Sequence, residues 1–175
     1  MKHATMNASR LALLALAMAC VVPAVQSQQL PQATGGSQWM NFNNQLDGQR
    51  FSPLTQITPQ NASKLKEVCR VTIDGPTSFT AGLIVVDGVI YTNTGRQTVA
   101  VDARTCQLRW RHEYVPEDEE LRQSSRGPAV MNGRVFRGTG DGRLLALDAV
   151  TGKLLWSNAI GVPRLSEFAS AAPIA

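Results

Sequence analysis

Leu144-Leu-Ala-Leu-Asp-Ala-Val-Thr-Gly-Lys-Leu-Leu-Trp156 has a near-copy 46 residues earlier, Thr98-Val-Ala-Val-Asp-Ala-Arg-Thr-Cys-Gln-Leu-Arg-Trp110. Extending the match upstream pairs Gly133 with Gly88 and Phe136 with Tyr91, so that residues 127–156 repeat residues 82–110 at an offset of 45 to 46. A third copy begins at residue 171, where Ala172-Pro173-Ile174-Ala175 mirrors Gly127-Pro128-Ala129-Val130. A fixed period in the forties, built of short apolar runs separated by turn residues, is the mark of a four-stranded propeller blade stacked against copies of itself. The expected fold is therefore all-β: a partial β-propeller of about two blades with a lead-in segment.

Each copy divides into four expected strands. The innermost, at 83–86 and 128–131, are short and apolar, as strands covered on both faces are. Asp87-Gly88 and Asn132-Gly133 are two-residue hairpin signals that join them to second strands at 89–92 and 134–137. Third strands at 98–101 and 144–147 lead through Asp-Ala-x-Thr-x turns to outer strands at 108–110 and 154–156. No apolar spacing of three and four persists as a helix would need.

Hydrophobic residues make up 43% of the chain and charged residues 17%, which are ordinary values for a globular protein. Residues 1–27 read as an export signal, with Lys2 and Arg10 before and at the start of an apolar run, and Val25-Gln26-Ser27 before a cut. Their removal takes two of the 17 basic residues and leaves a net charge of about +2, so basicity does not point to nucleic acid. Cys20 lies in the apolar run without the leucine three places earlier that a lipoprotein signal uses, and lipid anchoring is not expected. Residues 28–66 form the lead-in, and 67–175 the repeats. Cys69 and Cys106 would remain in an oxidising compartment, either bridged or as two buried thiols.

Several residues that resemble catalytic groups read as scaffold. Asp102 and Asp148 open turns whose amides their carboxylates would accept. Trp110 and Trp156 recur at one blade position, which suits a ring wedged between blades with its N–H satisfied locally. Gly138-Thr-Gly140-Asp-Gly142 precedes a strand, not a helix that could hold a phosphate, and reads as a hairpin turn. The acidic run 117–120 reads as solvated, and His112 has no partner at ligand spacing. Arg126 differs. It stands just ahead of an innermost strand, near one mouth of a propeller's channel, where a guanidinium suits a carboxylate ligand or, equally, an acid such as Glu120 in the preceding loop.

The chain resembles the pyrroloquinoline quinone (PQQ)-dependent dehydrogenases, eight-bladed propellers exported to the periplasm that oxidise alcohols, polyols or sugars. The resemblance rests on Ala146-x-Asp148-Ala-x-Thr151-Gly152-x-x-x-Trp156, from which the first copy departs at Cys106. It rests also on the lead-in: Trp39, Gly48-Gln-Arg-Phe-Ser-Pro-Leu54, Gln56-Ile57-Thr58 and Asn61-Ala-Ser-Lys-Leu65. It covers residues 39–175. It implies that Arg126, in Ser-Arg-Gly where the family has Asn-Arg-Gly, pairs with a carboxylate of PQQ, and that Ser170 and Thr80 contact the same cofactor. Thr80 replaces a Glu or Gln of relatives, and the family's adjacent-cysteine disulfide is absent near Glu120-Leu121.

The resemblance further implies a calcium or lanthanide ion and a proton-accepting aspartate. It assigns these to later blades, so that no catalytic or metal-binding residue is expected in this chain. The expected partners are an alcohol, polyol or sugar substrate, a membrane quinone or cytochrome acceptor, and the remaining blades. As a stand-alone product the chain is expected to be an inactive N-terminal fragment. The alternative is a non-enzymatic binding or assembly scaffold of the cell envelope built from the same blades.

Overall fold

The computed structural model describes residues 38–45, 47–73, 79–118 and 125–174, all within one compact unit. The expected signal at 1–27 lies outside them. Among the described residues no helix is long and apolar enough to cross a membrane. Eight strands form two four-stranded antiparallel sheets. The first contains β1 (Ile84–Val86), β2 (Val89–Asn93), β3 (Gln97–Asp102) and β4 (Leu108–Glu113) in that spatial order. The second contains β5 (Ala129–Met131), β6 (Arg134–Gly138), β7 (Arg143–Asp148) and β8 (Leu154–Ala159). Neither sheet closes on itself. Each is a propeller blade, as the repeat implied; the two innermost strands are one residue shorter than the apolar pattern marked, and the other six run one to three residues longer.

The two blades match in detail. Both innermost hairpins turn through residues of positive φ, 49° and 73° at Asp87-Gly88 and 50° and 71° at Asn132-Gly133, the conformation whose twist fits paired strands. Both third strands shift register at the same place, between Ala100 and Val101 and between Ala146 and Leu147. Asp102 accepts the amides of Arg104 and Thr105 at 3.0 Å each, and Asp148 those of Val150 and Thr151. These hydrogen bonds hold both carboxyls below the usual carboxylate range, led at Asp102 by the bond from Arg109 and at Asp148 by the bonds from Thr151. They are turn formers, as their positions suggested. The Gly138–Gly142 stretch is likewise the turn between β6 and β7, closed by Thr139 N to Arg143 O at 2.9 Å.

The core lies between the blades. Ile84, Val89, Tyr91, Ala100 and Trp110 of the first sheet form one buried cluster with Val130, Val135 and Leu147 of the second. Trp110 is wedged as expected, but its N–H is not satisfied locally: it donates at 2.9 Å to Ala149 O of the next blade, the carbonyl that Tyr91 Oη also reaches at 3.3 Å. The indole is too wide to sit within its own sheet, so its polar tip meets the neighbour it packs on. The innermost strands also differ from the expectation of two covered faces, since Val85 and Val86 are half-buried and Met131 is exposed.

Two polar ties cross the same interface. Arg137, fully buried, donates to the carbonyls of Gly95 at 2.6 Å and Thr94 at 3.2 Å, in the loop between β2 and β3, and of Gln97 at 3.3 Å, the first residue of β3. Tyr114, just beyond β4, donates at 2.6 Å to Asp141, which also accepts from Thr139 Oγ1 and from Glu117 N at 2.9 Å. Burial works against ionisation of Asp141, yet these three bonds outweigh it and its pKa lies below the ordinary value. Tyr114 is pushed up to about 12 by burial and by that carboxylate.

The lead-in is anchored at one point in β1, where Trp39 and Val85 exchange backbone hydrogen bonds of 2.8 and 2.9 Å. A disulfide joins Cys69 to Cys106, with Cα atoms 6.2 Å apart, and so ties the stretch just after the lead-in to the turn between β3 and β4.

Candidate functional site

Successive blades begin with the same backbone step, and hydrogen bonds link these steps side by side. Gly82 N donates to Arg126 O at 2.8 Å, and Arg126 N donates to Ser170 O at 2.9 Å. Thr80 Oγ1 reaches Ser125 O at 3.2 Å. Gly127 has a φ of 129°, and a Cβ there would come 3.1 Å from Gly82 O, so only glycine lets the two chains approach this closely. Three stretches separated in sequence by about 45 residues thus meet in one row, and Thr80, Arg126 and Ser170 all belong to it.

The side chains in this row are suited to an anion. Arg126 is exposed, and its guanidinium has no ion-pair partner among the described residues. Glu120, the acid that could have neutralised it, lies outside those residues. Thr80 is exposed and Ser170 half-buried. Ser125 is 4% exposed, and its Oγ is a buried hydroxyl without a hydrogen-bond partner. A fork-shaped cation on a row of residues that also carries hydroxyls is a donor set that suits a carboxylate.

Other candidates resolve differently. Glu117 of the acidic run faces Arg143 at 3.1 Å and Ser157 at 3.2 Å, and Glu119 and Glu120 lie outside the described residues. Burial and then the nearby Arg137 charge push the His112 pKa down. No group of three or more His, Cys, Asp or Glu among the described residues is arranged to hold a metal ion. One cavity of about 410 Å³ lies under the lead-in between Trp39, Phe42, Arg50 and Leu83. A second of similar size is apolar and borders the disulfide, with Val71, Ile73 and Ile90 in its wall.

Residues 39–166 match the glucose/ethanol/alcohol dehydrogenase β-propeller domain family, PQQ. The chain belongs to this dehydrogenase propeller family. It is 37% identical over 157 residues to the dehydrogenase subunit of the quinone-dependent alcohol dehydrogenase of Gluconobacter oxydans, a match that takes in 82% of this chain and 21% of that protein. It is 36% identical to the 1-butanol dehydrogenase (cytochrome c) of Thauera butanivorans, across 81% of this chain and 20% of the relative. The chain therefore spans about a fifth of the length of these curated relatives.

Solved structures agree on the propeller. The quinohemoprotein alcohol dehydrogenase of Pseudomonas putida HK5 superposes with a TM-score of 0.66 at 36% identity, covering 72% of this chain and 19% of that one. A europium-containing methanol dehydrogenase superposes with a TM-score of 0.74 at 26% identity, covering 81% and 26%.

The sequence singled out Arg126 by its place ahead of an innermost strand and Ser170 and Thr80 by the family resemblance, and the structure brings the backbones of their stretches together. It missed Ser125, although a count of 45 residues in either direction from Thr80 or Ser170 lands on it. It also missed Arg137, whose burial no local pattern marks.

Proposed function

We propose that this chain forms the first blades of a periplasmic PQQ-dependent dehydrogenase that oxidises an alcohol, polyol or sugar, with the row Thr80, Arg126 and Ser170 holding the quinone. The observation that carries this reading is the exposed guanidinium of Arg126, without an ion-pair partner among the described residues and fixed through its own backbone N–H and carbonyl to the blades on either side. Such a cation is preorganised: its backbone cannot swing, so ligand binding orders only the side chain. Arg126 pairs with a carboxylate of the cofactor, while Thr80 and Ser170 offer hydroxyls to its edge. When bound, PQQ supplies the acceptor for hydride leaving an alcohol carbon. A calcium or lanthanide ion, its ligands and the proton-accepting aspartate belong by resemblance to later blades.

On this reading the 175 residues alone contribute binding groups and no turnover. The complete enzyme passes electrons to a membrane quinone or a cytochrome, and residues 1–27 direct its export. Exposed apolar residues on the lead-in and the second blade, among them Ile57, Val68, Val150 and Leu155, are surfaces that further blades would cover.

Equilibrium dialysis of the chain against PQQ, with Arg126→Ala alongside, tests the reading. Saturable binding that weakens by about tenfold to a hundredfold in the variant is expected for loss of a charge-assisted pair. Absence of saturable binding, or equal affinity in the variant, overturns it.

A further inference from the structure

We propose that Ser125 supplies a further hydroxyl contact to the ligand of Arg126, completing a row of three hydroxyls, Thr80, Ser125 and Ser170, one from each successive blade. The inference rests on the reading of Arg126 as a quinone carboxylate partner. Its starting point is the repeat. Thr80, Ser125 and Ser170 stand 45 residues apart, each three positions before the Leu83, Pro128 or Pro173 of its blade. The repeat therefore gives the three hydroxyls equivalent places around the propeller axis, with Ser125 between the two that the resemblance already assigns to the cofactor.

The hydrogen bonds then separate Ser125 from its repeat mates. Thr80 Oγ1 reaches across to Ser125 O at 3.2 Å, spanning the gap between neighbouring blades. The repeat offers Ser125 the same bond, to Ser170 O, but Ser125 Oγ does not make it: Ser170 O accepts from Arg126 N at 2.9 Å, and Ser125 Oγ has no partner among the described residues. A hydroxyl this buried normally finds one, since leaving it unpaired costs stability. It sits on the residue next to an exposed cation that likewise lacks an ion-pair partner among the described residues. Both orphaned groups are answered at once by a ligand whose acceptor oxygens lie over the start of β5: a carboxylate gripped by Arg126 with Ser125 donating to the same group. Serine stands here where the family motif has asparagine, so this contact belongs to this chain's own sequence.

The test compares Ser125→Ala, Ser125→Thr and Arg126→Ala in the 175-residue chain, using PQQ as the probe in equilibrium dialysis and thermal unfolding without ligand. Ser125→Ala is expected to weaken PQQ binding by roughly twofold to tenfold, the range for one neutral hydrogen bond, and Ser125→Thr to restore it. The ligand-free melting temperature of Ser125→Ala is expected to stay level or rise, because the group removed bonds nothing in the protein. Unchanged affinity in Ser125→Ala alongside weakened Arg126→Ala overturns the contact and leaves the quinone reading standing. A drop in the ligand-free melting temperature also overturns it, by making the hydroxyl structural. No binding by the parent chain, or full affinity in Arg126→Ala, overturns the quinone reading itself and this inference with it.

Discussion

Gly152 lies against the indole of Trp110, and nothing larger than hydrogen fits between them: a Cβ on Gly152 would sit 2.5 Å from Trp110 Cε3. Gly152 also has a φ of 72°, so its freedom from steric penalty is used twice, once for the turn and once for the neighbouring ring. The Trp of the first blade and the Gly of the second are two halves of one joint; the first blade, with no blade before it in this chain, carries Cys106 at the glycine's position. Gly152→Ala is expected to cost about 3 kcal/mol or more, from positive-φ strain plus overpacking. Urea unfolding that showed a loss of less than 1 kcal/mol would mean that the ring is free to move aside.

Arg137 holds the blades together from the polar side. Replacing it with Met keeps much of the packing and strands the carbonyls of Thr94, Gly95 and Gln97, an expected loss of about 3 kcal/mol. A double-mutant cycle with Tyr114→Phe, which releases the other tie to the second blade, is expected to show coupling, since both substitutions loosen one interface.

Cys106 takes the turn position that Gly152 takes in the second blade, and its φ is 58°. Removing the disulfide with Cys69→Ala is expected to cost about 4 kcal/mol, from the 37-residue separation it spans. Cys106→Gly removes the same bridge but relieves the left-handed backbone, and is expected to cost about 1 kcal/mol less. Equal losses in paired denaturation curves would show that the turn carries no such strain.

The repeat alone disclosed the blades, the hairpins and the turns of Asp102 and Asp148, because each is set by residues adjacent in the chain. What it could not disclose depends on contacts between blades. Trp110 reaches Ala149, Arg137 reaches Gly95, and Arg126 N reaches Ser170 O, each across 39 or more residues. The candidate site was legible in part for the same reason. Arg126 stood out by its place ahead of an innermost strand, and Thr80 and Ser170 by the family resemblance, but only the fold shows that the backbones of Gly82, Arg126 and Ser170 bond in one row.

Acid is expected to weaken the fold in two windows. His112 has its pKa lowered by burial and by Arg137, so the unfolded chain takes up a proton first, from about pH 6.5 downward, and stability falls as the pH drops through that window. Asp102, Asp141 and Asp148 have lowered pKa values, so the stability they contribute is complete above about pH 4 and is lost as the pH falls further. Urea midpoints between pH 7 and 5 are expected to decline in the parent chain and to stay level in His112→Gln. A slope that survives in the variant would assign it to another group.

The most direct test of the central claim is a map of backbone amide shifts in the 15N-labelled chain as PQQ is added. The account predicts that the perturbed amides are those of Thr80, Gly82, Ser125, Arg126, Gly127 and Ser170, with the lead-in cavity at Trp39 and Phe42 unchanged. Perturbations centred on that cavity or on the apolar cavity beside Cys69, or none at saturating PQQ, would contradict it.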